Sequence, residues 1–226
     1  MRQLVLEIPP LHQPSLDNFV IGNNAETISL LFNWLSGEGE QIIYLWGEEG
    51  IGKSHLLMAL HEKLQSTQQS VQFVKITEGT LFDECKDQFL LIDDVHKLSR
   101  AGAISLFNRF NERREQQLSL LVSGDAPPHQ LPLLPDLATR LSWGLVLRLH
   151  ALSDEEKIKA LQQHAHNLGF HLPQELAWYL LQRWQRDIRS LLQVLEELNR
   201  WSLSLHKPIT MPLIRDALNN LREQSA

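Results

Sequence analysis

The stretch GEEGIGKS at 47–54 sets glycines, a lysine and a serine in the spacing G-x-x-x-x-G-K-[ST]. Glycines let a backbone curl until successive N–H groups converge, and a helix opening directly behind them adds its positive end. Convergent donors of that kind suit phosphate oxygens. Lys53 adds a point charge and the Ser54 hydroxyl a ligand for Mg²⁺. On this reading Gly47, Gly50, Ile51, Gly52, Lys53, Ser54 and His55 form a nucleotide-phosphate site; the plainer alternative is a glycine-rich turn carrying a chance lysine.

Two further apolar runs end in acids. FLLIDDVH at 89–96 closes on Asp93 and Asp94, and a parallel strand there would deliver both carboxylates beside the phosphates. Asp93 would hold Mg²⁺ through its water shell. Asp94 would orient an attacking water, or else cap the helix that follows. LVSGDAPP at 121–128 ends on Ser123 and Asp125, a place from which to sense a terminal phosphate, although Gly-Asp and Pro-Pro are also strong turn formers. Arg140 in DLATRLSWG (136–144) and Arg189 in RDIRSLL (186–192) are the two candidate cations outside the loop. An arginine standing alone on a helix is most often solvated.

The elements needed to position these groups alternate in an α/β order. Strands are predicted at 41–46, 71–76, 89–95, 118–125 and 145–149, with helices beginning near Lys53, Arg100 and Asp136. After His150 the pattern is helical only. Ser153 and Glu156 make a capping box, and Ile158, Leu161, Ala165 and Leu168 follow at helical spacing up to Gly169. Further helices are predicted over 173–183, over 187–202 and from Thr210 onward, the last with Pro212 in its first turn. The expected plan is an α/β core with a parallel five-stranded sheet over 13–150 and a helical lid over 151–226.

Composition narrows the function classes. A net charge of −6 and a pI near 5.9 argue against a broad basic surface for nucleic acid. The single cysteine, Cys85, has no internal partner for a disulfide and no second thiol for a zinc site. No apolar run approaches the roughly 18 residues that span a bilayer, and the N-terminus lacks an export signal, so a cytoplasmic protein away from the membrane is expected.

Together these residues resemble the AAA+ module, and more narrowly bacterial DnaA: LDNFVIGNNAE (16–26) is similar to the box leading into the DnaA nucleotide domain, and LLIDDVH and TRLSWGL (139–145) to its second acidic motif and arginine-finger segment. The resemblance covers about residues 15–222 and implies ADP or ATP with Mg²⁺ as cofactors. It implies that Phe19, Val20 and Ile21 border the adenine, that Asp125 is the first sensor, and that Arg189 is the second sensor in the lid. Arg140 would be a finger acting on a neighbour's nucleotide, and Asn108 would lie at a position implicated in contact with DnaA or simply on a solvated helix face. DnaA continues past its lid into a DNA-binding domain and starts with an assembly domain; the resemblance, running over about residues 15–222, leads to the expectation of a chain with neither. The truncated plan is that of the Hda family, the regulatory inactivators of DnaA.

Members of that family begin with a clamp-binding peptide of the form Q-L-x-L-x-[LI]. QLVLEI at 3–8 supplies Gln3, Leu4, Leu6 and Ile8 to that pattern. In extended form the three apolar side chains project to one side, able to fill a groove while Gln3 anchors by hydrogen bonds; an ordinary edge strand is the rival reading. The resemblance therefore implies DnaA and the sliding clamp (DNA polymerase III beta subunit) as partners, DNA met mostly through the clamp, and a homo-oligomer as a further state to test. Two other readings compete: a helicase-loader-like or transposition-helper ATPase on single-stranded DNA, and a P-loop kinase of a small metabolite, which would leave the lid and Arg140 without a task.

Overall fold

Five apolar runs with helical sequences between them leave little choice but a sheet buried on both faces, because each parallel strand must be crossed over by a helix. The computed structural model describes residues 14–82, 86–185, 187–206 and 208–224. It contains strands β1 (Ile42–Trp46), β2 (Val71–Lys75), β3 (Phe89–Asp93), β4 (Ser119–Gly124) and β5 (Leu145–Arg148). They pair in parallel in the order β2-β3-β4-β1-β5. Four helices flank them: α1 (Ala25–Leu35), α2 (Lys53–Ser66), α3 (Arg100–Glu115) and α4 (Pro135–Leu141).

Alternation along β1 divides the core. Ile42 and Tyr44 join Leu90, Ile92, Leu120 and Val122 against Leu106 and Phe110 of α3 and Leu137 and Leu141 of α4. Ile43 and Leu45 join Leu91, Leu121 and Leu147 against α1 and α2 on the other face. Leu56, Leu57, Leu60 and Leu64 of α2 are each at most 1% exposed, and burial of one such side chain is worth about 1.5–3 kcal/mol. The ladder sets Leu45 beside Ser123, Trp46 beside Gly124, and Ile92 beside Val122, which brings the carboxyl ends of β1, β3 and β4 level.

At the opposite end of the sheet Arg113 is 1% exposed, and its Nη2 donates to the carbonyls of Asp87, Gln88 and Ser119 at 3.0, 3.0 and 2.7 Å. The Ser119 hydroxyl donates to Gln41 Oε1 at 2.8 Å. The amino ends of β1, β3 and β4 are thus joined by side chains as well as by the ladder.

α1 is the element that the sequence reading does not assign. Thr27, Ile28, Leu31 and Trp34 of this helix are buried, but its start carries no side-chain cap. Asn24, the residue before it, is instead spent on long-range bonds: Nδ2 donates to the His150 carbonyl at 3.0 Å and Oδ1 accepts the His150 N–H at 2.6 Å.

The chain divides into two compact units after His150. The second holds α5 (Asp154–Asn167), α6 (Gln174–Arg183), α7 (Ile188–Leu205) and α8 (Met211–Gln224). The capping box is present, with Ser153 Oγ accepting from Glu156 N and Glu156 Oε2 accepting from Ser153 N. Asp187 caps α7 by accepting from Ser190 N at 2.8 Å. α7 runs three residues past the expected end at 202, to Leu205, and stops where His206 turns left-handed. Ile158, Leu161, Leu180, Leu181, Leu191, Leu195, Leu198, Ile214 and Leu218 fill this unit's core. Among the described residues no helix is long and apolar enough to cross a membrane.

Candidate functional site

The loop after β1 turns at Gly50 (φ 79°) and Gly52 (φ 106°), left-handed conformations that glycine adopts without steric cost. Gly52 is the residue from which α2 springs, and no side chain caps that end, so the first-turn N–H groups remain directed at the loop. Lys53 is 6% exposed; its Nζ donates to the Gly47 and Glu48 carbonyls at 2.6 and 2.8 Å. Burial lowers its pKa, opposed by the charges of Asp94, Asp125, Asp93 and Glu49. Ile51 packs inward, since a Cβ on Gly47 would meet Ile51 Cδ1 at 2.2 Å.

The three acids play different parts. Asp93 is wholly buried at the end of β3; Oδ1 accepts the Ser123 hydroxyl at 2.6 Å, while Oδ2 is buried without a hydrogen-bond partner. Asp94 adopts a left-handed conformation (φ 66°), its N–H donates to Ser123 Oγ at 3.0 Å, and Oδ2 pairs with Lys97 Nζ at 2.7 Å. It caps no helix with its side chain, which removes the alternative raised by its sequence position. That bond holds the Lys97 pKa above its ordinary value. Asp125, past the end of β4, is half-exposed and 3.7 Å from His96 Nδ1. Beside it Tyr44 donates to the Ala126 carbonyl at 2.7 Å, and burial followed by the Asp125 charge drives the phenol pKa far up.

The segment leading into the core lies against the start of α2. Phe19 sits 5.7 Å from the His55 ring, and its Cε2 would lie 3.3 Å from a Cβ on Gly52. His55 Nε2 is bonded to Asn18 Oδ1 at 2.8 Å, which ties residues 15–19 to α2. Val20, partly buried, and Ile21, 43% exposed, directly follow Phe19.

The structure therefore brings together Gly47, Gly50, Gly52, Lys53, Asp93, Asp94 and Asp125, with Ser54 half-buried in the first turn of α2 and Phe19 and His55 at its side. Arg140 is elsewhere, in the last turn of α4, stacked over Trp143 and Phe107. Arg189 is exposed in the first turn of α7, in the helical unit. Gln3, Leu4, Leu6 and Ile8 lie outside the described residues. Sequence reasoning passed over Lys97, three residues from Asp94, and Trp143, three from Arg140; both spacings place a partner one turn away.

Residues 12–148 match the bacterial DnaA ATPase domain, and residues 154–218 match the Hda lid domain. Among solved structures the chain is similar to domain III of the Thermotoga maritima replication initiation protein DnaA, at 21% identity and a TM-score of 0.77, over 94% of this chain and 98% of that one. It is similar to AMPPCP-bound DnaA from Aquifex aeolicus at 20% identity and a TM-score of 0.70, over 82% of this chain and 64% of that one. The Thermotoga maritima RuvB Holliday junction branch migration motor shares the fold at 18% identity and a TM-score of 0.66, over 92% and 72%. A parallel five-stranded sheet with the loop between β1 and α2, a DnaA-type ATPase core over more than half the chain, and an Hda-type lid following it in sequence lead to one assignment: the chain belongs to the Hda family of DnaA-related AAA+ proteins.

Proposed function

We propose that this protein restrains chromosome replication by docking on the DNA-loaded sliding clamp and stimulating hydrolysis of ATP held by DnaA, leaving inactive DnaA–ADP. The observation that carries the reading is Arg140, an arginine finger by its place in TRLSWGL, whose guanidinium rests on an exposed indole with no ion pair or side-chain hydrogen bond among the described residues. A guanidinium delivered to a neighbour's transferring phosphoryl group stabilises charge that develops only in the transition state, an effect of about 10³–10⁵ in rate.

The chain's own site takes ADP or ATP. First-turn N–H groups of α2 and Lys53 meet the phosphates, Phe19, Val20 and Ile21 border the base, and Asp125 and Arg189 act as sensors. The unpartnered Oδ2 of Asp93 and the Ser54 hydroxyl fit a hydrated Mg²⁺, which when bound would neutralise phosphate charge. With Asp94 held by Lys97, intrinsic turnover is weak and the nucleotide chiefly orders the core and its lid (151–226). Residues 1–12 act as the docking peptide through Gln3, Leu4, Leu6 and Ile8, so an acidic chain reaches DNA indirectly, by raised local concentration. The working place is the cytoplasm, at the replisome.

The test is single-turnover hydrolysis of labelled ATP bound to DnaA, with and without this chain, in the presence of clamp loaded on DNA. Acceleration that requires the clamp, Gln3 and Arg140 is expected. No acceleration with the complete set of partners would refute the reading.

A further inference from the structure

α4 carries Arg140 in its last turn, and the Trp143 backbone N–H donates to the Arg140 carbonyl at 3.0 Å, so arginine and indole are joined through one tight turn. The Arg140 guanidinium carbon stands over the Trp143 ring, 3.8 Å from its centroid, and 5.5 Å from that of Phe107. Arg114, in the last turn of α3, lies 4.5 Å from the same indole. Trp143 is 48% exposed, too wet to be serving the core.

Neither arginine has an ion pair or a side-chain hydrogen bond among the described residues. Two like charges thus share one ring with no carboxylate to separate them, and the electron-rich face of the indole is what offsets their repulsion. A carboxylate would occupy the guanidinium fork, whereas stacking uses the flat face and leaves the N–H edges available to an anion. The backbone that carries the indole is anchored: a Cβ on Gly144 would meet the Ile42 carbonyl oxygen at 2.2 Å, so the chain next to Trp143 is pressed against the start of β1.

We infer that Trp143 is the positioning residue for Arg140, holding its guanidinium with the donor edge free for phosphate oxygens on a neighbouring chain, and holding Arg114 beside it as a second cation. This rests on the trans-acting reading above. Without the ring, repulsion from Arg114 and the side chain's own freedom disperse the finger, a loss that falls on the chemical step and spares association.

The test measures single-turnover hydrolysis of DnaA-bound ATP, with loaded clamp present, against the concentration of the full chain. Trp143→Ala should lower the maximal rate at least tenfold while the half-saturating concentration stays within twofold, and Trp143→Phe, which keeps an aromatic face, should recover most of the rate. An unchanged maximal rate, or a loss confined to half-saturation, overturns the proposal. In parallel, the Arg140 Nε–Hε resonance of ¹⁵N-labelled chain, assigned by its disappearance in Arg140→Lys, should be shifted by the indole ring current and relax toward the free-arginine position in Trp143→Ala. A resonance that does not move in that variant also overturns it. If the unaltered chain accelerates nothing, the trans-acting reading fails while the resonance still decides whether Trp143 holds Arg140.

Discussion

The hydroxyl of Ser123 donates to Oδ1 of Asp93 across 2.6 Å, joining the ends of β4 and β3 inside the core. The same oxygen accepts the Asp94 N–H, so one small side chain fixes both neighbouring acids. Ser123→Ala strips both bonds from buried groups. Thermal unfolding should report a loss of about 1–3 kcal/mol, the usual cost of leaving such groups unsatisfied, while Ser123→Thr, which keeps the hydroxyl, should lose less.

Lys97 pairs with the Asp94 carboxylate at 2.7 Å and competes with anything else that carboxylate could hold. Lys97→Met frees it, and steady-state phosphate release by the chain alone should rise a few-fold. Turnover that stays flat would show that Asp94 does not orient water in this protein.

Lys53 is a buried cation that donates to the Gly47 and Glu48 carbonyls. Lys53→Ala should weaken binding of a fluorescent ADP analogue by about 1.5–3 kcal/mol, the range for hydrogen bonds to charged groups, which is roughly 10- to 150-fold. Unchanged affinity would remove the loop from the phosphate site.

Because burial lowers the Lys53 pKa, part of its population loses the proton at alkaline pH, and a phosphate placed beside it restores the charge. The sign follows: affinity for ADP falls as pH rises through the lowered free-state pKa, and binding takes up a proton between that value and the higher bound-state one. Titration calorimetry in alkaline buffers of different ionisation enthalpy should show this uptake, and Lys53→Arg, charged throughout, should abolish it.

Much of this arrangement was legible before any coordinates. Strands that are buried on both faces must be apolar throughout, so FLLID and SLLVSG announced themselves, and Ser153 with Glu156 marked the start of α5. The glycine spacing placed the loop between β1 and α2. What escaped was whatever depends on partners distant in sequence. α1 was hidden because Asn24, a good cap by type, serves His150 126 residues away. The work of Ser123 depends on the neighbour that the sheet order gives it, and no local pattern states that β3 lies beside β4. Trp143 was read as one letter of a finger motif, whereas its use of Arg114 needs the ends of α3 and α4 in one place.

Arg113 laces the amino rim of the sheet. Its guanidinium rivets the base of β3 to the base of β4, and Ser119 fastens that base to the entry of β1. With Ser123 tying Asp93 and Asp94 at the opposite rim, the sheet is laced at both ends like a ladder with its first and last rungs nailed, and a ligand arriving at Lys53 meets carboxylates whose spacing is already set.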